Sequence, residues 1–463
     1  MKTLTVTLKQ HTPLIHFQHD QYGATLRASE VKPKLDKYIL TKLGGGNYEK
    51  GINEAKNGGW LVGKGEHPAL NYKISIKTPA EQMKIWLINQ PKKFTDKDKE
   101  RGRKYIEDKQ TKYLSKKRND GSIVKALQQY PLFFGNMDKN IDDPSEYRKM
   151  VYTDAPIELR VWTKNEKIFE LMQKLDWCDF FLINNFGTRQ SKGFGSFYIQ
   201  KGTEYYTKDP ESKYKFTLKS DEKQCFKDLF DAVELFYKSL RSGVNYPGKF
   251  YFKSLAFMYA KDVLGKHWDK RMIKEEFYNT FCHGSDSLPL QIGKHKNKEP
   301  LAFTLKKNEG CDIRDLLGFS TKEQWSSFND AIEKKVAIKD NSKYRYPDNN
   351  EKLLIERMPS PILIKPIFCE EENKYKIYLI FREQITGLDE FKSQGKICVL
   401  SFKEKKKFML DIPSDFTLEK YFDYIFQTLK FNINSHVEST FHKNIKFELL
   451  KEIYEDLERN LKP

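Results

Sequence analysis

The chain has 463 residues, of which 38% are hydrophobic and 14% aromatic, so it has enough apolar surface to fold and is too long for one ordinary core. Lysine and arginine total 82 against 64 acidic residues, which gives a net charge of +18. This charge favours a polyanionic partner such as nucleic acid. The alternative is that it only reflects a lysine-rich host proteome. Six scattered cysteines without a C-x-x-C pair argue against a zinc ribbon and a disulfide framework. The chain has neither a signal-peptide stretch nor an apolar run of membrane-spanning length, so we expect a soluble, cytoplasmic protein with no membrane contact.

The chain begins with a predicted strand followed by a predicted helix. The apolar residues that alternate with threonine in the strand are Leu4, Val6 and Leu8. Pro13 ends the strand, and Ser29 is a suitable N-cap for the helix, with Pro33 in its first turn. The apolar residues that recur at helical spacing are Val31, Leu35, Tyr38 and Ile39.

The middle of the first half combines irregular and regular segments. Residues 44–65 are rich in Gly and Asn and predict a long loop, and residues 72–77 predict a strand. The lysine-rich run 92–120 predicts a solvated helix or a mobile insertion, within a larger insertion near 91–150. This run is either a plain surface or a cover for an RNA backbone or a neighbouring subunit. A strand over 157–162 and an amphipathic helix over 166–175 follow.

A polar stretch around Pro210 marks the predicted domain boundary, which divides the chain into residues 1–205 and 206–463. The second half begins with a strand over 214–218 and a helix over 221–240. Its remaining predicted elements are paired strands at 353–368 with 375–381 and at 396–402 with 407–412, then helices at 418–429 and 446–461. The order of elements predicts two α+β units of related topology.

The strongest local feature is the glycine-rich loop, residues 185–197. Gly187, Gly193 and Gly195 permit backbone conformations closed to other residues and let main-chain N–H groups approach a ligand. Arg189 and Lys192 supply positive charge, and Phe194 and Phe197 offer rings on which a base could stack. The loop lacks the ending of a Walker motif, and a β-type segment follows it, unlike a dinucleotide fingerprint. The alternative is a hairpin whose phenylalanines lie in the core.

Three segments together resemble a known family. The chain resembles the RAMP proteins of type III CRISPR systems in these segments. They are the loop spacing G-x-R-x-x-x-G-F-G-S, the start Thr12-Pro-Leu14 with Leu26-Arg-Ala-Ser-Glu-Val31, and Arg357-Met-Pro-Ser-Pro-Ile362. The spacing is most similar to that of subunit one of the type III-B Cmr effector complex. The chain departs from that pattern in its length, in lacking a tryptophan-rich continuation of the first helix, and in having Ser191 and Lys192 where a basic pair is expected. These departures leave the choice of RAMP subunit open.

The resemblance implies an α+β fold of two tandem ferredoxin-like (RRM-like) domains, with a lysine-rich insertion and C-terminal helices. It implies assembly with other Cmr subunits and with CRISPR RNA near its 3′ end, a role in capturing target RNA, and no cofactor or metal. The residues that would line the RNA path are Gly187, Arg189, Gly193 and Gly195, with Arg27 and Ser29 nearby and Lys192 and Phe194 from the loop itself.

Two other functions remain open from the sequence. His11, His16 and His19 follow the first strand, and His16 or His19 could serve as general acid or base in a metal-independent endoribonuclease that processes CRISPR RNA. The third alternative is a basic scaffold protein that uses the loop only for folding. We favour a non-catalytic RNA-binding subunit, because the glycine-rich loop closes the first half, whereas the processing nucleases are expected to carry it near the C-terminus.

Overall fold

The chain forms an α+β protein with many antiparallel strands. This computed structural model describes residues 1–16, 26–63, 69–87, 89–100, 102–117, 121–129, 149–219, 226–246, 250–278, 310–325, 328–341, 343–348, 351, 353, 355–428 and 432–461. They divide into two compact units. The first unit comprises Met1–Ser212, Leu218–Asp231 and Ile364–Tyr378, and the second Lys213–Thr217, Ala232–Leu363 and Leu379–Pro463.

The helices and strands within residues 1–212 are, in chain order, β1 (Lys2–Gln10), α1 (Ala28–Leu43), α2 (Tyr48–Asn57), β2 (Leu61–Val62), β3 (Ala69–Leu70), β4 (Lys73–Lys77), β5 (Met83–Leu87), β6 (Asn89–Pro91), α3 (Asp96–Glu100), β7 (Tyr105–Asp108), β8 (Thr111–Lys117), β9 (Ile123–Lys125), β10 (Leu127–Gln129), β11 (Lys149–Thr153), β12 (Ile157–Thr163), α4 (Glu166–Gln173), α5 (Trp177–Leu182) and β13 (Phe197–Ile199).

Those that follow are β14 (Tyr214–Lys219), α6 (Lys227–Arg241), β15 (Val244–Tyr246), β16 (Phe250–Phe252), α7 (Leu255–Asp262), β17 (His267–Trp268), α8 (Asp269–Tyr278), β18 (Gly310–Cys311), β19 (Phe319–Ser320), β20 (Lys322–Trp325), β21 (Asp330–Val336), β22 (Ile338–Asp340), β23 (Lys343–Arg345), β24 (Arg357–Met358), β25 (Ile362–Cys369), β26 (Lys374–Phe381), α9 (Glu383–Thr386), α10 (Leu388–Ser393), β27 (Lys396–Ser401), β28 (Lys407–Asp411), α11 (Leu418–Asp423), α12 (Ile433–His436) and α13 (Ile445–Leu461).

The first unit is built on a four-stranded antiparallel sheet with the strand order β13-β1-β12-β4. Val6 in β1 lies opposite Leu159 in β12, and both side chains are fully buried because alternate residues of each strand face the helices. Helix α1 contacts β4, and α4 contacts β1 and β12. This sheet therefore follows a strand–helix–strand–strand–helix–strand plan, with additional elements inserted between its members.

Within the first unit, a β-ribbon is inserted in the chain between β4 and β12, which are neighbours in the four-stranded sheet. Strand β5 pairs with β11 and β6 with β10, both antiparallel. The ribbon carries an antiparallel three-stranded sheet, β7-β8-β9. Within the described part of the lysine-rich run, the longest regular element is the strand β8, which pairs with β7. The expectation of a solvated helix is therefore wrong apart from the short α3.

The second unit contains a six-stranded sheet in the order β17-β18-β28-β27-β21-β20. Within that unit, Phe236 of α6 contacts Phe216 of β14 and Tyr454 of α13, at ring-centroid distances of 5.2 and 5.7 Å. Apart from the sheets of the two units described so far, β14, β26 and β25 form a three-stranded sheet in that order. The predicted strand pairs of the second half are confirmed in β25 with β26 and in β27 with β28.

Three predictions near the start of the chain are wrong. Residues 44–65 contain helix α2, capped by the Asn47 side chain, because Asn supports a helix N-terminus as well as a loop. Ser29 is not the N-cap, since α1 already begins at Ala28 with Arg27 as its N-cap. Pro33 therefore lies inside the helix rather than in its first turn.

Across the described ranges, no helix is both long and apolar enough to cross a membrane.

Candidate nucleic-acid interface

The glycine-rich loop is held against the chain that follows β1. Within the loop, Phe186 N donates a hydrogen bond to Gly195 O over 3.0 Å, which brings the two ends together. Gly195 N donates to Pro13 O over 2.8 Å, and Thr188 N donates to Ile15 O, also over 2.8 Å. The loop backbone therefore has fixed partners on both of its sides, and its shape is set before any ligand binds.

Two of the glycines are required for this close packing. Gly187 and Gly195 have φ angles of +74° and +64°, in the left-handed region that side chains disfavour. A Cβ atom at Gly195 would lie 2.0 Å from Phe186 O, and one at Gly187 would lie 2.5 Å from Ile15 O. Both positions exclude a side chain for the same reason, the close approach of a carbonyl oxygen.

The hydroxyl of Thr12 ties the loop to the segment after β1. Thr12 Oγ1 donates a hydrogen bond to Gly193 O over 2.7 Å and accepts one from Ser196 N over 2.9 Å. Ser196 Oγ in turn donates to Pro366 O in β25 over 2.7 Å. The Thr-Pro-Leu segment and the loop, two parts of the sequence pattern, are thus in direct contact.

Lys365 of β25 is fully buried and donates hydrogen bonds to both ends of the loop. Its Nζ donates hydrogen bonds to Asn184 O over 2.9 Å, to Asn185 Oδ1 over 3.1 Å and to Phe197 O over 2.7 Å. Three acceptors match the three N–H donors of an ammonium group, which offsets the cost of burying the charge. Sequence reasoning did not find this residue, although a lysine inside the apolar run of β25 is a visible signal.

The loop phenylalanines belong to the core. Phe194 and Phe197 have no exposed surface. The Phe194 ring stacks on Phe230 with centroids 3.7 Å apart, and the Phe197 ring contacts Phe186 edge-on at 6.0 Å. The hypothesis that these two rings offer faces to a base therefore does not agree with their burial, and the alternative of a hairpin with core phenylalanines describes them correctly.

The loop cations lie at its surface beside helix α1. Arg189, with φ at +58°, and Lys192 are both partly exposed. Lys34 of α1 donates a hydrogen bond from Nζ to Asn185 O over 2.5 Å, contacts the amide oxygen of Gln190, and lies 4.9 Å from the Phe186 ring centroid. Lys34 was not among the predicted residues, because its role depends on a contact between positions more than a hundred residues apart.

The predicted residues Arg27 and Ser29 lie at the start of the same helix. Arg27 is the partly exposed N-cap of α1 and Ser29 is exposed. Glu30, the next residue, has its Oε1 atom 2.9 Å from His16 Nδ1. His16 directly follows Ile15, whose carbonyl oxygen accepts the hydrogen bond from Thr188 N of the loop. The structure therefore brings the beginning of α1, the segment after β1 and the glycine-rich loop into one region of the first unit.

Comparison with models of known protein families shows to which family the chain belongs. Residues 1–244 match the model of the Cmr1 N-terminal domain, and residues 251–452 match that of the Cmr1 C-terminal domain. The chain belongs to the Cmr1 family. The resemblance to RAMP proteins and to subunit one of the Cmr complex is thereby confirmed. No curated protein matches this Cmr1-family chain.

Two solved structures are similar to the Cmr1-family chain. One is a crystal structure of Cmr1 from Pyrococcus furiosus in its apo form, with 13% identity, a TM-score of 0.21, and coverage of 44% of this chain and 52% of that chain. The match thus spans about half of the Pyrococcus furiosus chain. The other is a cryo-EM structure of the type III-B Cmr-beta complex bound to cognate target RNA and AMPPnP, with 12% identity, a TM-score of 0.36, and coverage of 81% of this chain and 93% of that chain.

The histidines of the Cmr1-family chain were the candidates for catalysis. His16 is almost completely buried at 4% exposure and pairs with Glu30, so its ring has little access to an RNA substrate. His19 lies outside the described residues. Within the described ranges, no group of three or more His, Cys, Asp or Glu side chains is placed to hold a metal ion.

His11 has a structural contact of its own. Its Nδ1 accepts a hydrogen bond from Phe368 N over 3.1 Å, which requires that nitrogen to be unprotonated. Burial, with Lys365 and Lys9 nearby, lowers the pKa of His11 well below the ordinary value of 6.5. A buried neutral imidazole that serves as an acceptor for the backbone fits a folding role.

Arg345 in β23 of the Cmr1-family chain pairs with acidic groups within the second unit. Its two terminal nitrogens contact the carboxylate of Glu351 over 2.8 and 2.7 Å, and its Nε contacts Asp340. The hydrogen bonds from Arg345 lower the pKa of Glu351 to about 2. The guanidinium therefore already has two acidic partners.

Proposed function

We propose that the chain is a non-catalytic RNA-binding subunit of a type III-B CRISPR (Cmr) ribonucleoprotein effector complex that acts in antiviral defence in the cytoplasm. Its partners are CRISPR RNA, contacted in the 3′ region, target RNA, and other Cmr subunits. The membership of both halves in the Cmr1 family supports the assignment to this complex. The single observation that carries the RNA contact is the position of Arg189 and Lys192 at the surface of a loop whose backbone is already fixed.

The chemistry of that surface suits a phosphate backbone. Arg189, Lys192, Lys34 and Arg27 supply cations, and each phosphate that they neutralise releases condensed counterions. Because the loop is fixed in advance, little conformational entropy is lost when RNA binds. Gly187, Gly193 and Gly195 contribute through the shape of the loop, and Phe194 contributes by anchoring it to the core.

We further propose two tandem ferredoxin-like domains at residues 1–205 and 206–463. In the first sheet, with its members numbered along the chain, the order β13-β1-β12-β4 is 4-1-3-2, as the ferredoxin-like fold requires. In the second half, the order β14-β26-β25 corresponds to 1-3-2 of the same plan, with α6 following the first strand. The ribbon and the C-terminal helices would then be insertions and additions to this plan.

Binding of labelled CRISPR RNA and target RNA to the purified chain tests the function. Arg189→Glu with Lys192→Glu should weaken binding by at least about tenfold and reduce its salt dependence, since about two phosphate contacts are lost. The matched control is Lys167→Glu with Lys174→Glu, two exposed lysines at helix α4. Equal binding by the loop variant and the control would favour the scaffold alternative.

Incubation of the chain with repeat RNA in the absence of metal tests the lack of catalysis. The RNA should remain intact with the parent chain and with His16→Ala and His19→Ala. Specific cleavage by the parent that is lost in either variant would show that the chain is an endoribonuclease.

A further inference from the structure

The three-stranded sheet β7-β8-β9 stands at the end of the β-ribbon and carries a strong excess of positive charge. Residues 92–125 contain ten lysines and three arginines against six acidic residues. Two of the acidic groups are already engaged within the segment. Asp98 contacts Arg103 over 3.1 Å and accepts hydrogen bonds from Thr95, and Asp108 pairs with Lys125. These contacts neutralise part of the acidic charge, and a net positive field remains.

One face of this sheet combines an exposed aromatic ring with lysines. Tyr105 in β7 lies opposite Leu114 in β8, so its side chain shares a face with Lys112 and Lys116, the residues two positions to either side of Leu114. The Tyr105 side chain is 46% exposed. Lys112 is exposed as well, and its Nζ lies 4.7 Å from the Tyr105 ring centroid.

The ring is also held in place. Phe94 contacts Tyr105 with ring centroids 5.2 Å apart, and Phe94 N donates a hydrogen bond to Lys112 O over 2.8 Å. Leu114 N donates to Lys92 O over 2.8 Å, so the chain around Phe94 is fixed to β8 at two points. A ring that is held by a neighbouring ring and is still 46% exposed loses little freedom when a base stacks on it.

This combination favours RNA over a protein partner. Lysine is depleted in the cores of protein interfaces, whereas single-stranded nucleic acid is bound by lysines along the backbone and by aromatic rings beneath the bases. The one acidic residue opposite Lys112 in the ladder is Glu107, and the lysines outnumber it on this face. The charge and the exposed ring thus complement the two chemical components of a nucleotide, its phosphate and its base.

We propose that the face of β7 and β8 formed by Tyr105, Lys112 and Lys116 is a second RNA-contact surface, separate in sequence from the glycine-rich loop. It binds a single-stranded segment through phosphate contacts to the two lysines and through stacking of one base on Tyr105. The proposal rests on the proposed function, because it assumes that RNA is the partner of the chain. It adds a surface that is independent of Arg189 and Lys192.

The test is binding of a fluorescein-labelled single-stranded oligouridylate to the full chain at several salt concentrations. Lys112→Gln with Lys116→Gln should lower the slope of log affinity against log salt by about 1.4, since each contact with a single strand contributes about 0.7. Tyr105→Ala should weaken binding by about 5-fold to 150-fold, the range for loss of one stacked base, and Tyr105→Phe should restore it. The matched control is Lys167→Gln with Lys174→Gln at helix α4.

The outcomes distinguish this proposal from the proposed function. If the Tyr105 and lysine variants bind as the parent does while Arg189→Glu weakens binding, the second surface does not exist and the proposed function stands. A parent chain that binds no RNA overturns both. Variants with unchanged RNA binding but weaker assembly with other subunits would make the sheet a protein interface and overturn the proposal. Photocrosslinking of 4-thiouridine RNA to the peptide containing Tyr105 in the folded parent would support it directly.

Discussion

The ring of Phe194 stacks face to face on the ring of Phe230, with centroids 3.7 Å apart and an interplanar angle of 3°. This contact places the centre of the glycine-rich loop in a core cluster with Ile15 and Met150. The loop is therefore part of the folded core along one side and carries its cations on the other. The burial of Phe194 and the exposure of Arg189 lead to different expectations for substitutions only five positions apart.

Phe194→Ala should reduce the free energy of unfolding by about 3–5 kcal/mol, because it removes a fully buried ring and leaves a cavity. Phe194→Leu should cost less, since it keeps most of the apolar volume. Urea unfolding measures both effects. RNA binding by the folded Phe194→Leu variant should match that of the parent. A large loss of affinity in a variant of normal stability would instead indicate that this ring stacks on a base.

Gly195→Ala should lower the free energy of unfolding by much more than an unfavourable backbone angle alone would cost. The new Cβ would lie 2.0 Å from Phe186 O, so the loop backbone would have to move. Gly202→Ala is the matched control, because Gly202 also has a positive φ, at +83°, but has open space around it. The control should cost only the strain of about 1–2 kcal/mol. Thermal unfolding of the two variants compares them, and equal losses would contradict a steric role of Gly195.

Acidification should destabilise the first unit through His11. Its pKa is lowered in the folded chain by burial and by Lys365 and Lys9, whereas the unfolded residue takes up a proton near pH 6.5. The unfolded state therefore binds more protons below that pH, and the stability present at neutral pH is lost as the pH falls. Each pH unit costs up to about 1.4 kcal/mol from this residue.

Urea unfolding at about pH 7.5 and about pH 5.5 tests the contribution of His11. His11→Asn removes the titrating ring and keeps an acceptor for Phe368 N, so it should reduce the loss of stability between the two pH values. An unchanged loss in this variant would show that other groups cause the pH dependence.

Lys334→Met should strongly destabilise the second unit. The Lys334 Nζ is fully buried, 2.7 Å from Asp315 Oδ2 and 3.4 Å from Asp269 Oδ2. Removal of the ammonium group leaves Asp269 with Arg314 and Asp315 with Arg241 as their remaining charge partners. Breaking a buried charge network in this way costs about 3–5 kcal/mol. Lys322→Met on the neighbouring strand β20 is the control, because that lysine is exposed. Denaturant unfolding of both variants provides the comparison, and a Lys334 variant as stable as the control would refute the prediction.

Regular periodicity explains which elements could be predicted from the sequence. The alternation in β1 and in β12 predicted strands whose apolar side chains are indeed buried, and the helical spacing in α4 and α13 is likewise confirmed. Helix α2 was missed because its glycine and asparagine content resembles that of a loop, while its stability comes from packing against α1. The strands β7 to β9 were missed because short, lysine-rich strands have little alternation.

The candidate site was predictable only in part. Glycines among basic residues indicated the loop, since such a pattern is visible within thirteen positions. Lys34 and Lys365 were not found, because their partners Asn184 and Asn185 lie about 150 and 180 positions away and leave no local pattern. The Asn-Phe-Gly start of the loop gave no sign of these distant donors.

By itself, the sequence determined the positive charge, the local secondary structure wherever periodicity is regular, the glycine positions of the loop, and through them the relationship to the Cmr1 family. The tertiary structure alone decided that Phe194 is buried against Phe230 while Arg189 remains at the surface. The reason is physical. Backbone conformation depends mainly on neighbouring residues, whereas burial and hydrogen-bond partners depend on which distant segments pack together.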